Sequence, residues 1–412
     1  MQGEPACVSV SEESSRKQPT ETENGRDLTK TVAKHYNELK EEGLQVRGTS
    51  RIFYLRNFNN WIKSVLIGDI LQQKKKDNSH DKSLTILDLC CGKGGDLLKW
   101  KKGQVDKIVC ADIAATSVEQ CESRYKEMLQ RSERDRYPQK VFSAEFIVAD
   151  CTKTRLRDQY KDPSIQFNIV SCQFSFHYCF ESYTQAEMML KNACECLAPG
   201  GYFIGTTPDS YELIRRLRES PEKSFGNEVY RVTFHDNNEE SLPLFGATYD
   251  FHLEGVVDCP EFLVYFPVLE KMAEKYGMKL IKRRSFADYF KDNIEAGEAR
   301  SLIGRMQALE TYPPDENATL MSSQPNNYEH AVKFLENLSQ DTSQDRRHPP
   351  KIGTLSQDEW EAATIYCVFV FKKVAGLAES ERELPSAPKR KHDDERTSDK
   401  EEPVEKIPKV GE

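Results

Sequence analysis

Thr85-Ile86-Leu87-Asp88-Leu89-Cys90-Cys91-Gly92-Lys93-Gly94-Gly95-Asp96 is the stretch whose reading decides the fold. An apolar run rich in strand formers ends in a glycine-rich turn, and Leu97-Leu98-Lys99-Trp100 then opens a helical pattern. In that setting backbone N–H groups can meet a nucleotide-like ligand, because glycine permits close approach and a helix start presents unpaired donors. Alone, the turn is a weak signal, with a tight connection that binds nothing as its other reading. Outward from it, short apolar runs alternate with helical patterns, with strands expected at 85–89, 107–111, 144–148, 167–173, 201–207, 278–284 and 362–372. This alternation predicts an α/β fold, a doubly wound, mostly parallel seven-stranded sheet of Rossmann-like form.

Between 182 and 197, Ala186, Met189, Leu190, Ala193 and Leu197 share one helical face, and Ser182 with Gln185 has the form of a capping box. Ahead of the sheet, Asn57 to Asn60 are placed to cap a helix with Trp61, Val65, Leu66 and Ile70 on its apolar side, ending near Lys74-Lys75-Lys76. Strand-like runs at 228–234 and 247–253 suggest an inserted antiparallel lid within about 208–260, followed by an amphipathic helix carrying Phe262, Phe266, Leu269, Ala273 and Tyr276. Residues 313–351, rich in Ser, Asn, Asp, Gln and Pro, read as a long loop with one helical piece near 328–338. Residues 1–30 and 375–412 lack any apolar period and read as disordered tails, which leaves 31–374 as the folded domain.

A net charge of −9 argues against coating nucleic acid through a broad basic face, since phosphate neutralisation needs clustered Lys and Arg. A small local contact with RNA stays open. No leader-like apolar segment follows Met1 and no apolar run of about 18 residues occurs, so a soluble, intracellular chain with no membrane contact is expected. The 12 cysteines fit that compartment as free thiols, several of them inside apolar runs. Cys194 and Cys196 come nearest to a zinc pattern but lack a second pair at ligand spacing, so no metal is expected. Pro388-Lys389-Arg390-Lys391-His392, in the acidic tail, fits an extended grip by a nuclear import receptor and so a nuclear location.

The expected ligand edge carries three acids. Asp88 ends the first strand, Asp112 the second, at about the 20-residue spacing from which a carboxylate meets ribose hydroxyls, and Asp150 the third, where an acid can meet an adenine amino group. A nicotinamide dehydrogenase would want G-x-G-x-x-G directly after the strand, and the chain does not supply it.

Asp88 before the loop, with Leu197-Ala198-Pro199-Gly200-Gly201 before the fifth strand, resembles instead the S-adenosylmethionine-dependent methyltransferases. Further blocks narrow the resemblance: Arg56-Asn57-Phe58-Asn59-Asn60-Trp61-Ile62-Lys63, Gly92 to Trp100, Cys172-Gln173-Phe174 with His177-Tyr178, Phe225-Gly226-Asn227-Glu228, and Tyr249-Asp250-Phe251 with Leu253-Glu254-Gly255-Val256-Val257. Together, over residues 31–371, they resemble the eukaryotic mRNA cap guanine-N7 methyltransferases. The resemblance implies S-adenosylmethionine as methyl donor, held by Lys63, Asp88, Cys90, Gly92, Asp112, Asp150, Gln173 and Tyr178. It implies that Asn59, Asn60, Lys93, Lys99, Arg124, His177, Glu254 and Tyr366 face the capped RNA end, with Glu254 reading guanine N1–H and N2–H₂. It also implies a small activating subunit, seated near the lid between Phe262 and the loop at 313–351. Cys90 departs from the family, which carries glycine there, and a side chain at that position would crowd the donor.

Guanine N7 is an exposed lone pair, so attack on a sulfonium methyl needs no general base, and no catalytic Ser–His or Cys–His pair is expected. Two other readings stay open at this point: a methyltransferase of another substrate, and a noncatalytic cap-binding relative.

Overall fold

The computed structural model describes residues 28–38, 48–77, 83–137, 140–235, 242–341 and 350–374. Thirteen strands are labelled β1 to β13 in chain order. The main sheet holds β1 (Thr85–Leu89), β2 (Lys107–Asp112), β3 (Ser143–Val148), β4 (Phe167–Gln173), β5 (Leu197–Pro208), β10 (Met278–Ser285) and β13 (Tyr366–Lys373). Their order is β10-β13-β5-β4-β1-β2-β3. The pairs β1/β2, β1/β4, β2/β3 and β4/β5 are parallel, while β13 runs antiparallel to both β5 and β10. This is the expected doubly wound, mostly parallel seven-stranded sheet.

The period of 2 along each strand divides the core into two layers. Ile86, Ile108, Ile169, Ile204, Val368 and Val370 pack on one face with Trp61, Leu66 and Ile70 from the helix Phe53–Asp77. Leu87, Val109, Val170, Phe203, Phe369 and Phe371 pack on the other with Met189, Leu190 and Ala193 from the helix Tyr183–Cys194. Burial on both faces explains why these strands read as near-continuous apolar runs.

The lid is a four-stranded antiparallel sheet in the order β6-β7-β8-β9, from β6 (Ser224–Gly226), β7 (Tyr230–Phe234), β8 (Thr248–Leu253) and β9 (Val257–Phe262). The remaining strands, β11 (Glu310–Tyr312) and β12 (Ile352–Thr354), pair with each other.

Several boundaries differ from expectation. The helix at Phe53–Asp77 starts earlier than read, so Asn57, Asn59 and Asn60 lie inside it rather than capping it. Phe262 ends β9, and the amphipathic helix after it covers only Phe266–Glu274. The last strand begins at Tyr366 because the helix Gln357–Ala363, capped by Ser356 Oγ accepting from Glu359 N–H, occupies the residues before it. Ser182 caps its helix as expected, its Oγ accepting from Gln185 N–H at 3.3 Å. Within the expected long loop, the helix Glu329–Asp341 extends the predicted helical piece. Leu28–Glu38 is also a helix, so ordered structure starts ahead of residue 31. The rest of the N-terminal tail, the tail beyond residue 374 and its basic cluster lie outside the described residues.

Candidate functional site

The carboxyl ends of β1 to β4 open into a cavity of about 300 Å³. Lys63, Asp88, Cys90, Gly92, Asp112, Asp150, Gln173 and Tyr178 all line it, so the residues expected to hold the methyl donor come together at one place. The turn after β1 is bent by left-handed backbone at Cys90 (φ 55°) and Gly92 (φ 51°). A Cβ added at Gly92 or Gly95 would meet nothing within 4 Å, so the turn gives its space to the cavity. Asp112, 8% exposed at the end of β2, accepts from Gly92 N–H at 2.8 Å and from Ala114 N–H at 2.9 Å. Burial, with the Cys90 thiol beside it, pushes its carboxyl up to about 7. Asp150 accepts from Thr152 N–H at 2.9 Å and Thr152 Oγ1 at 2.6 Å, which fixes its carboxylate at the rim. Gln173 is held by Ser171 and Thr206, its Nε2 donating at 3.0 Å and its Oε1 accepting at 3.2 Å.

Two charges beneath the turn share one acid. Lys63 Nζ lies 2.9 Å and Lys99 Nζ 2.6 Å from Asp96 Oδ1. Burial would raise the Asp96 carboxyl, but the two ammonium groups outweigh it and hold it down to about 2. Asp88 goes the other way, raised by burial and by Asp96 nearby, with Trp100 Nε1 donating to it at 3.3 Å.

A second cavity, of about 590 Å³, adjoins the first. Tyr36, Lys63 and Phe174 belong to both walls. Of the residues expected to face the capped end, Asn59, Asn60, Lys93 and Tyr366 line this second cavity. Asparagine inside a helix is unfavourable, since its side chain competes for the backbone, so Asn59 and Asn60 are better explained by what they face. The Asn59 Oδ1 atom is buried with no hydrogen bond.

Other expected cap residues fall elsewhere. Lys99 lines neither cavity; it neutralises Asp96 and donates to Asn60 Oδ1 at 3.3 Å. Arg124, half-buried on the helix Ala115–Arg134, lines neither. Glu254, expected to read guanine, is exposed in the turn between β8 and β9 and lines neither cavity. A second acid of the same hairpin, Glu261 on β9, is 2% exposed and lines the second cavity, with Oε2 accepting from Tyr249 OH at 2.8 Å. His177, 1% exposed, is not on the wall but beside Glu261, its Nε2 3.2 Å from Oε1, with neither ring nitrogen in a well-aligned hydrogen bond.

Two contributions were not read from sequence. Glu261 lies in Pro260-Glu261-Phe262-Leu263-Val264, and an acid set in an apolar run was its available signal. The first helix also closes over the first cavity through Leu28, Thr29, Val32 and Tyr36. Leu28, Val32 and Tyr36 recur every fourth residue, one face of a helix. Tyr36 OH meets Tyr178 OH at 3.3 Å, and His35 Nε2 meets Val256 O at 3.3 Å, so this helix ties the lid to the sheet edge.

A family model described as the mRNA (guanine-N(7))-methyltransferase domain matches residues 19–374. The chain is 53% identical over 356 residues to an mRNA cap guanine-N(7) methyltransferase of Drosophila melanogaster, covering 86% of this chain and 79% of that one. It is 41% identical over 364 residues to the protein of the same name in Caenorhabditis elegans, covering 87% and 90%. With mRNA cap guanine-N(7) methyltransferase 1 of Arabidopsis thaliana it shares 34% identity over 360 residues, covering 86% and 84%.

Proposed function

We infer how the site works from one premise: the chain belongs to the mRNA (guanine-N(7))-methyltransferase family, and it transfers a methyl group from S-adenosylmethionine to N7 of the guanine that caps GpppN-RNA. The observation that carries the division of labour is the pair of adjoining cavities with Tyr36, Lys63 and Phe174 common to both walls. The first cavity fits the donor by its donor set: an acid at the ribose position, a second at the rim, and a turn whose glycines leave open space. The second fits the cap guanine, with Asn59, Asn60, Lys93, Glu261 and Tyr366 on its wall.

When bound, S-adenosylmethionine supplies an electrophilic sulfonium methyl. The protein's own groups then have three tasks. Asp112 and Asp150, anchored by backbone N–H groups, and Gln173, held by the Ser171 and Thr206 hydroxyls, orient the donor. Glu261, an acceptor in its ionised form, matches the paired N–H donors on the guanine edge opposite N7, and adenine offers no such pair. A correct bidentate contact of this kind is worth about 1–3 kcal/mol of base discrimination. The Glu261 charge also favours the purine as it becomes cationic, while closure by Tyr36 and Phe174 keeps N7 and methyl in an attack arrangement, a positioning gain of up to roughly 7–11 kcal/mol. No group need abstract a proton. Incubating the full chain with labelled donor and GpppG-RNA, ApppG-RNA or uncapped RNA tests the assignment: label should appear as N7-methylguanosine on GpppG-RNA alone. Equal transfer to ApppG-RNA or uncapped RNA contradicts it.

The folded unit proposed is residues 31–374 together with the helix that begins at Leu28. Nuclear import through the basic cluster at 388–392 and a small activating subunit seated near the lid complete the proposal. Equal nuclear entry by a chain ending at Ser386 would remove the first of these.

A further inference from the structure

Cysteines gather on both sides of the glycine turn. On one side the Cys90 thiol contacts those of Cys151 and Cys172. On the other, Cys91, Cys110 and Cys121 each contact the other two, and their sulfurs all lie within 4.8 Å of one another. Three different elements supply this closed triangle: the turn after β1, strand β2, where Cys110 sits in register with Asp88, and the helix Ala115–Arg134. Gly94 is shaped to it, since a Cβ there would come within 2.8 Å of Cys121 Sγ.

A trivalent ion with a lone pair binds three sulfurs pyramidally, and at about 2.3 Å to each it holds them roughly 3.4 Å apart, so a triangle within 4.8 Å contracts by up to about 1.4 Å. Structural zinc takes four ligands, and among the described residues no fourth His, Cys, Asp or Glu joins the group. The charge of the product decides among three-coordinate ions. Three thiolates around a monovalent ion would leave two negative charges beside buried Asp88, which is costly, whereas a trivalent ion leaves none.

We propose that Cys91, Cys110 and Cys121 form a binding site for one trivalent thiophilic ion of the arsenite class, and that its occupation opposes binding of the methyl donor. Loading is a ligand exchange with no change of oxidation state. Three S–As bonds form, the three As–O bonds of arsenous acid break, and each thiol proton leaves with a hydroxyl as water. Cys110 and Cys121 are buried, whereas Cys91 lines the donor cavity, so entry runs through that cavity. Cys91 also directly precedes Gly92, whose N–H holds Asp112, so drawing its sulfur inward displaces the turn that the donor needs. The opposition rests on the first cavity being the donor site; the adduct itself does not.

The test uses the full reduced chain and arsenite, read by native mass spectrometry and by donor-binding calorimetry. One adduct per chain is expected, with the mass of one arsenic less three protons, abolished in Cys121→Ala and Cys110→Ala and retained in Cys172→Ala. Donor affinity without arsenite reports whether each variant folds. Arsenite should weaken donor affinity roughly tenfold, and saturating donor should weaken arsenite by the same factor, as linkage requires. An adduct that survives Cys121→Ala, is lost in Cys172→Ala, or keeps one thiol proton overturns the site. A full three-thiol adduct with unchanged donor affinity overturns the opposition alone.

Discussion

The two cavities share a wall yet are built differently. The donor cavity is made from residues at the ends of successive parallel strands, held by backbone hydrogen bonds: Asp112 to Gly92 and Ala114, Asp150 to Thr152. The cap cavity is walled by side chains from the helix Phe53–Asp77, the hairpin of β8 and β9, and the first residue of β13, which meet only in the folded chain. The first is a property of the sheet and the second a property of the lid's docking onto it. Substitutions should therefore separate: changes at strand ends act on the donor, and changes on β9 act on guanine.

The largest separation is expected at β9. Glu261→Ala should lower methyl transfer to capped RNA by about a hundredfold or more while donor affinity stays within about twofold, because the carboxylate lines the second cavity and not the first. Glu254→Ala, in the exposed turn, should leave transfer near wild type. A comparable loss at Glu254 would break the assignment of the guanine reader. On the other side of the wall, Asp112→Asn should weaken donor binding by about ten- to a hundredfold, since hydrogen bonds to charged groups contribute about 1.5–3 kcal/mol. Calorimetry with a cap analogue should show its affinity unmoved; a matching fall would mean the chambers do not act independently.

A smaller effect is expected at Cys90. Its φ of 55° costs a residue with a Cβ roughly 1 kcal/mol that glycine does not incur. Cys90→Gly should relieve that cost in the fold and, separately, raise donor affinity a few-fold by clearing the cavity wall. Donor titrations in which the affinity stays flat or falls would show that the thiol leaves the donor room. The smallest effect concerns pH. Asp112, at about 7, holds its proton more tightly folded than unfolded. Its contribution to stability is therefore fully present below its unfolded value of about 4 and lost as pH rises through about 7. Donor binding favours the ionised acceptor and should tighten over the same rise, levelling above it, with Asp112→Asn flat. In Cys90→Gly the midpoint should move down, because Cys90 is the second cause holding it up.

How much of this was legible in the sequence follows the same division. Strands 85–89 and 167–173 were read to the residue, because burial on both faces makes each a short apolar run stopped by a turn. The donor residues follow from those stops, since open α/β sheets bind at the carboxyl ends of their strands. The cap wall has no such local rule. Of two acids on one hairpin, Glu254 and Glu261, the turn residue was favoured by the resemblance at Leu253 to Val257, while Phe262 was read onto a helix and Glu261 was not singled out. Pro260 is tolerated in β9 because that strand is an edge of the lid sheet, and the strand period then turns Cys259 and Glu261 inward together. Arg124 and Lys99 illustrate the same lack of a local rule: the resemblance implies that both face the capped RNA end, whereas the fold sets Lys99 on Asp96 and leaves Arg124 off both walls.

The central claim is that guanine occupies the Glu261 chamber with N7 directed across the shared wall at the donor. A crystal structure of the full chain with S-adenosylhomocysteine and GpppG tests it most directly. The account predicts Glu261 oxygens within hydrogen-bond reach of guanine N1 and N2, and N7 facing the donor sulfur past Tyr36 and Phe174. Guanine bound at Glu254, or N7 turned away from the sulfur with Glu261 unengaged, would contradict it.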